Sequence, residues 1–106
     1  MITITNFGSG EVQISDGEGH SIKLDREAGN RLVMVGRMQT VAEFIEKLPT
    51  LISDDNLLKG ILSAFEGKNS SERWNLKEKF ARLDTLAKGY EPKNPDQVVE
   101  VVTLEG

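Results

Sequence analysis

The spacing of apolar side chains changes once along this chain, between Gly36 and Thr40, and this change restricts the fold more than any other feature. Before residue 36, apolar and polar side chains mostly alternate, which is typical of strands with one buried face. From residue 40, apolar side chains recur every three or four positions, as they do along one face of an α-helix. Because strands and helices occupy separate parts of the chain, the sequence predicts an α+β fold.

Four strands are predicted within residues 1–36. The segments between them are short and contain the Gly, Asn and Asp residues that tight turns require, so we expect an antiparallel β meander. The fourth segment, residues 32–35, is apolar at every position and is predicted to lie centrally in the sheet, covered by helices. The apolar positions of the four predicted strands are Ile2 with Ile4, Val12 with Ile14, Ile22 with Leu24, and the whole of 32–35.

Three helices are predicted within residues 40–89. The first contains Pro49, which removes a backbone donor and either kinks or ends a helix. We expect a kink, because the apolar spacing continues in phase to Leu51 and Ile52. The boundary signals are a capping box of Thr40 and Glu43, a second N-terminal cap within residues 53–55, a serine cap near residue 70, and the helix-ending glycines Gly67 and Gly89.

Residues 97–104 are predicted to form a C-terminal strand that returns to the sheet. They are rich in valine and follow a connector, residues 91–96, in which two prolines exclude a helix. A mobile tail is the alternative, since chain ends fray. The whole chain, residues 1–106, is then a single domain with the order ββββαααβ, in which three helices pack on one face of an antiparallel sheet of four to five strands. Its predicted core is Ile4, Val12, Ile14, Leu24, Leu32, Met34, Phe44, Ile45, Leu48, Leu57, Ile61, Phe65, Phe80 and Leu83.

The composition argues against most kinds of catalytic or metal site. There is no cysteine, which removes thiolate metal ligands and a thiol nucleophile. The one histidine, His20, lies in a glycine-rich turn with Asp16 and Glu18, but the spacing does not fit a calcium loop. We therefore predict no metal, no cofactor and no enzymatic activity. The chain has no apolar run of the roughly 18 residues that span a bilayer and no signal-peptide pattern, so a cytoplasmic protein is expected, without a membrane partner.

The third predicted helix, which begins near residue 70 and ends at Gly89, carries the strongest indication of a partner. Taking Leu76 as the reference on a helical wheel, a narrow apolar stripe continues through Phe80 and Leu83, and Trp74 lies about 160° away. Residues 67–90 also contain six basic and three acidic side chains, a net charge of +3, whereas the rest of the chain carries −7. We predict that a partner protein contacts Arg73, Trp74, Lys77, Ala81 and Lys88 on this outer face.

The resulting hypothesis is a small acidic interaction module, such as an adaptor, inhibitor or assembly factor. Domains of this kind are common among phage and mobile-element proteins. A structural role for Trp74, beneath a neighbouring loop, is the alternative for that residue. For the whole chain the alternatives are a nucleic-acid-binding regulator that uses the same basic helix, against which the net charge of −4 counts, and an enzyme with an unrecognised site. The oligomeric state stays open.

Overall fold

The computed structural model describes residues 1–83 and 96–105, and within them it confirms the α+β class. Three strands come first, four helices follow, and a last strand returns to the sheet. The elements are β1 Ile2–Phe7, β2 Val12–Ser15, β3 Ser21–Leu24, α1 Arg26–Met38, α2 Val41–Leu51, α3 Asp55–Phe65, α4 Ser70–Ala81 and β4 Val98–Leu104.

The described strands form one antiparallel sheet in the order β3-β2-β1-β4. Ile4 in β1 lies opposite Ile14 in β2 and Val102 in β4, and all three side chains are buried. Alternate residues on these strands are polar or exposed, so a single face of the sheet packs against the helices. The predicted antiparallel pairing and the return of the C-terminal segment are confirmed, and a mobile tail at Val98–Leu104 is wrong.

The predicted fourth strand is wrong, because residues 32–35 lie in the middle of α1. The β meander therefore ends at Leu24, not at residue 36. Asp25 caps α1: its Oδ1 accepts a hydrogen bond from the amide of Ala28 at 2.8 Å. A run of four apolar residues fits a buried strand and a buried helix equally well, and burial within the run follows the helical pattern. Leu32 and Val33 are buried, whereas Met34 is 42% exposed.

The other helix boundaries mostly follow the predicted caps. Thr40 and Asp54 cap α2 and α3 through their side chains, and α2 continues through Pro49 to Leu51, so the helix does not end at the proline. The cap of α4 is Asn69 and not a serine, with Glu72 completing a capping box. In the described residues α4 ends at Ala81. The predicted continuation is wrong at Arg82, which is the C-cap, and at Leu83, which is not helical, and its remainder, residues 84–89, lies outside the described residues.

The core lies between the sheet and the helices. It centres on Phe44, whose ring is 4.9 Å from that of Phe80 and 6.1 Å from that of Phe65, between ring centroids. Of the predicted core, Leu24 and Ile45 are half-buried and Met34 is exposed. The predicted residues that are buried are Ile4, Val12, Ile14, Leu32, Phe44, Leu48, Leu57, Ile61, Phe65, Phe80 and Leu83.

Candidate interaction surface

Helix α4 carries four of the five predicted contact residues and packs against α1, α2 and β4. Its backbone comes very close to that of α1 at Gly36. A Cβ atom at this glycine would lie 3.0 Å from the amide nitrogen of Ala81 and 3.1 Å from the Cβ of Phe80. Gly36 therefore sets the distance between the two helices, because no larger residue fits without moving one of the backbones.

Lys77 is fully buried between these helices, so the prediction that it lies on the exposed face of α4 is wrong. Its Nζ donates a hydrogen bond of 2.6 Å to the carbonyl oxygen of Gly36. That oxygen belongs to the last turn of α1, where carbonyls have no amide partner further along the helix. A cation is also favoured there by the helix dipole, so Lys77 acts as a C-terminal cap for α1.

Trp74 lies one turn before Lys77 and is 48% exposed. The Nζ of Lys77 is 4.2 Å from the centroid of the indole ring, within the range of a cation–π contact. Because the Nζ is bonded to Gly36, the ammonium group has a fixed position beneath the ring. One part of the Trp74 ring therefore contacts the ammonium group of Lys77, and the other part faces solvent.

The remaining predicted contact residues are distributed along the same helix. Arg73 is exposed, and its Nε donates to the carbonyl of Phe65 at 3.2 Å, at the end of α3. Ala81 is half-buried, and its carbonyl accepts a hydrogen bond of 3.3 Å from the Nε of Arg37. Lys88 lies outside the described residues. The structure brings Trp74 and Lys77 into contact and places Arg73 and Ala81 on neighbouring turns.

Most of the basic side chains described on α4 bind backbone carbonyls of the same chain. Besides Arg73 and Lys77, Lys79 donates from its Nζ to the carbonyl of Thr103 in β4 at 3.3 Å. Half of the six basic side chains of residues 67–90 therefore have a structural explanation, since each of these three cations meets a carbonyl at the end of a helix or the edge of the sheet. The sequence pattern could not reveal this, because the carbonyls belong to distant segments.

The turn that contains His20 is held together by Asp16. Its Oδ1 accepts hydrogen bonds from the amides of Glu18 at 2.7 Å and His20 at 3.1 Å, and its Oδ2 is 2.8 Å from the His20 Nδ1. The amide of Glu18 and the contacts with His20 lower the pKa of the Asp16 carboxyl below its usual range. Across residues 1–83 and 96–105, no three His, Cys, Asp or Glu side chains are grouped in a way that could hold a metal ion.

Comparisons of this chain with family models, curated proteins and solved structures find no match. Within the described residues, none of the helices is both long and apolar enough to cross a membrane.

Proposed function

We propose that this protein is a non-catalytic interaction module that binds a partner protein through the surface of α4 around Trp74. The observation that carries the proposal is a large aromatic ring that is half exposed and contacts a buried ammonium group on one face. Tryptophan and arginine are the residues that most often dominate the energy of protein interfaces. A ring that is already fixed loses less conformational entropy on binding than a mobile one.

The proposed contact surface differs from the predicted one in the role of Lys77. Because this side chain is fully buried, it supports the Trp74 ring and does not contact the partner. Arg73 is exposed one position before Trp74 and lies at the rim of the surface, where its Nε donates to the carbonyl of Phe65. Ala81, which is half-buried, lies further along the helix, and its small side chain leaves room for a partner group. The contribution of Lys88 stays a prediction.

The arrangement of charge favours a protein partner over a nucleic acid. Binding to phosphates requires clustered basic side chains that are free to displace counterions. On α4, Arg73, Lys77 and Lys79 each donate to a carbonyl within the chain, and the whole chain carries a net charge of −4. These observations support an interface in which the aromatic ring, and not the charge, supplies most of the affinity.

The test compares Trp74→Ala with a matched control, Met38→Ala, which removes a side chain that is 71% exposed on α1. Tagged proteins are used to capture partners from a native lysate with and without nuclease, and the dissociation constant for the captured protein is then measured by calorimetry. We expect Trp74→Ala to weaken binding by roughly thirtyfold or more, the effect of losing a residue that contributes about 2 kcal/mol, and Met38→Ala to leave it unchanged.

Measurements of thermal stability separate a contact role from a structural one. Trp74→Ala removes a cation–π contact of about 0.5–1 kcal/mol and the apolar contacts of the buried half of the indole ring, so its melting temperature should fall by less than about 10 °C. A fall of more than about 15 °C, the cost of truncating a core tryptophan, would assign Trp74 to the core. Undiminished binding by Trp74→Ala, or binding that disappears after nuclease treatment, would contradict the proposal.

A further inference from the structure

Among the described residues, strand β4 is an edge of the sheet, and an open furrow runs between it and α4. One end of the furrow is a cavity of about 340 Å³ whose lining includes Lys79 and Arg82 from the helix and Glu100 and Val102 from the strand. Edge strands expose unpaired amide and carbonyl groups, which can pair with another strand. The furrow leaves space for such a strand beside β4.

The register of β4 shows which of its backbone groups face outward. A bulge shifts the pairing of β1 with β4 between Asn6 and Phe7. Beyond the bulge, the amide of Gly8 donates to the carbonyl of Gln97 at 2.6 Å, so Gln97 faces β1. In an antiparallel pair, the backbone groups of successive residues point alternately toward and away from the neighbouring strand, and the bulge inserts one extra residue into β4. Val101 and Thr103 therefore direct their amides and carbonyls away from β1. The bond from Lys79 to the outer side of Thr103 agrees with this assignment.

We propose that β4 pairs antiparallel with β4 of a second copy of this chain, about a twofold axis at Val101. This interface is separate from the proposed surface around Trp74. In this register Val101 meets its own counterpart, and the two residues exchange both backbone hydrogen bonds. The sheets of the two copies then form one continuous sheet, and neither β4 remains an edge.

Charge complementarity selects a second copy as the occupant of the furrow. Glu100 shares the inner face of β4 with Val102 and Leu104, since alternate residues of a strand lie on the same face. In the proposed register Glu100 of the second copy lies beside Val102, in the cavity that Lys79 and Arg82 line. By symmetry the same contact forms twice. Within the described part of the chain, neither Arg82 nor Glu100 forms an ion pair.

The exposed apolar surface of the strand supports the same occupant. Val101 is 49% exposed, and pairing at the axis would bring two Val101 side chains into a cross-strand contact. The bond from Lys79 does not block the pairing, because the carbonyl oxygen of Thr103 has a second lone pair for an incoming amide. Lys79 would then remain near the acceptor while its charge faces Glu100 of the second copy.

The experiment is sedimentation equilibrium of the whole chain at concentrations up to roughly 200 μM, which detects dissociation constants in the micromolar range. We expect the natural chain to form a dimer. Arg82→Glu and Glu100→Arg should each raise its dissociation constant by about tenfold or more, and the double variant should restore it. Arg31→Glu, which changes an exposed charge on α1, is the control and should leave the dimer unchanged.

A second variant tests the backbone pairing directly. Val101→Pro removes an amide that faces outward, so the pairing of β4 with β1 loses no hydrogen bond, whereas the dimer loses the bonds at its axis. We expect Val101→Pro to be monomeric with circular dichroism like that of the natural chain, and Val101→Ala and Trp74→Ala to remain dimeric. A natural chain that stays monomeric throughout, or a dimer that persists in Arg82→Glu and Val101→Pro, would overturn the proposal.

Discussion

Replacing Lys77 by Met tests the structural explanation of the basic residues on α4. Met keeps most of the length of the buried side chain and removes the ammonium group. The carbonyl of Gly36 then loses its donor, and the indole ring of Trp74 loses the cation beneath it. We expect the free energy of unfolding to fall, even though a buried charge has been replaced by an apolar group.

The size of the effect follows from the two contacts. A hydrogen bond from a charged donor contributes about 1.5–3 kcal/mol, and a half-exposed cation–π contact contributes about 0.5–1 kcal/mol. Part of this loss is offset, because Met no longer buries a charged group away from water and because its side chain gains an apolar contact. We therefore expect a net destabilisation of about 2 kcal/mol. For a chain of this length this corresponds to a fall of about 8 °C in melting temperature.

The measurement is urea unfolding followed both by far-ultraviolet circular dichroism and by tryptophan fluorescence. Trp74 is the one tryptophan of the chain, so fluorescence reports on the affected position. Lys59→Met, at an exposed position of α3, is the matched control and should change stability by less than about 0.5 kcal/mol. If Lys77→Met were as stable as the natural chain, the bond to Gly36 would contribute nothing net, and Lys77 could not be regarded as the cap of α1.

Two further predictions concern other parts of the chain. Gly36→Ala should destabilise the chain by about 1–3 kcal/mol, because its Cβ would meet the backbone of Ala81. Gly60→Ala should cost at least about 1 kcal/mol less, because its Cβ meets the end of the Ile2 side chain, which can rotate. Equal urea midpoints for the two variants would contradict this. The lowered pKa of Asp16 contributes stability that is present above the unfolded value near 3.8 and is lost as the pH falls through the folded value. Asp16→Asn should therefore be less stable than the natural chain at pH 6 in urea titrations, and the difference should shrink as the pH falls below 3.8. A difference that does not shrink with falling pH would show that the charge is not responsible.

Much of the fold could be predicted because its signals are local. Strands β1 and β2 have one buried face, which gives the alternating pattern, and Thr40 and Asp54 lie directly at the helix starts that they cap. The predicted strand at residues 32–35 is wrong because four consecutive apolar side chains do not distinguish period 2 from period 3.6. Asp25 was the missed signal: it is a good N-cap and lies directly before the helix.

The candidate site was less predictable because it depends on contacts between distant segments. The helical wheel separates an apolar stripe from the rest of α4, but it treats a buried lysine as a surface residue. Lys77 is buried because it reaches the end of α1, which is 41 positions earlier in the sequence. No spacing within α4 indicates that carbonyl. The wheel did place Trp74 away from the apolar stripe, in agreement with its 48% exposure.

A local excess of basic side chains can therefore arise in two ways that the sequence alone does not separate: from bonds to carbonyls of the same chain, or from a surface that binds a partner. A helix packed beside the ends of other helices meets carbonyls that lack donors, and basic side chains on that helix stabilise them. Arg73 and Lys77 lie in this position relative to α3 and α1, and Lys79 meets the edge of β4 in a similar way. These bonds account for three of the six basic side chains of residues 67–90 without a partner, but they do not account for the exposed half of Trp74. The indole ring is therefore the feature of α4 for which a binding partner is the better explanation.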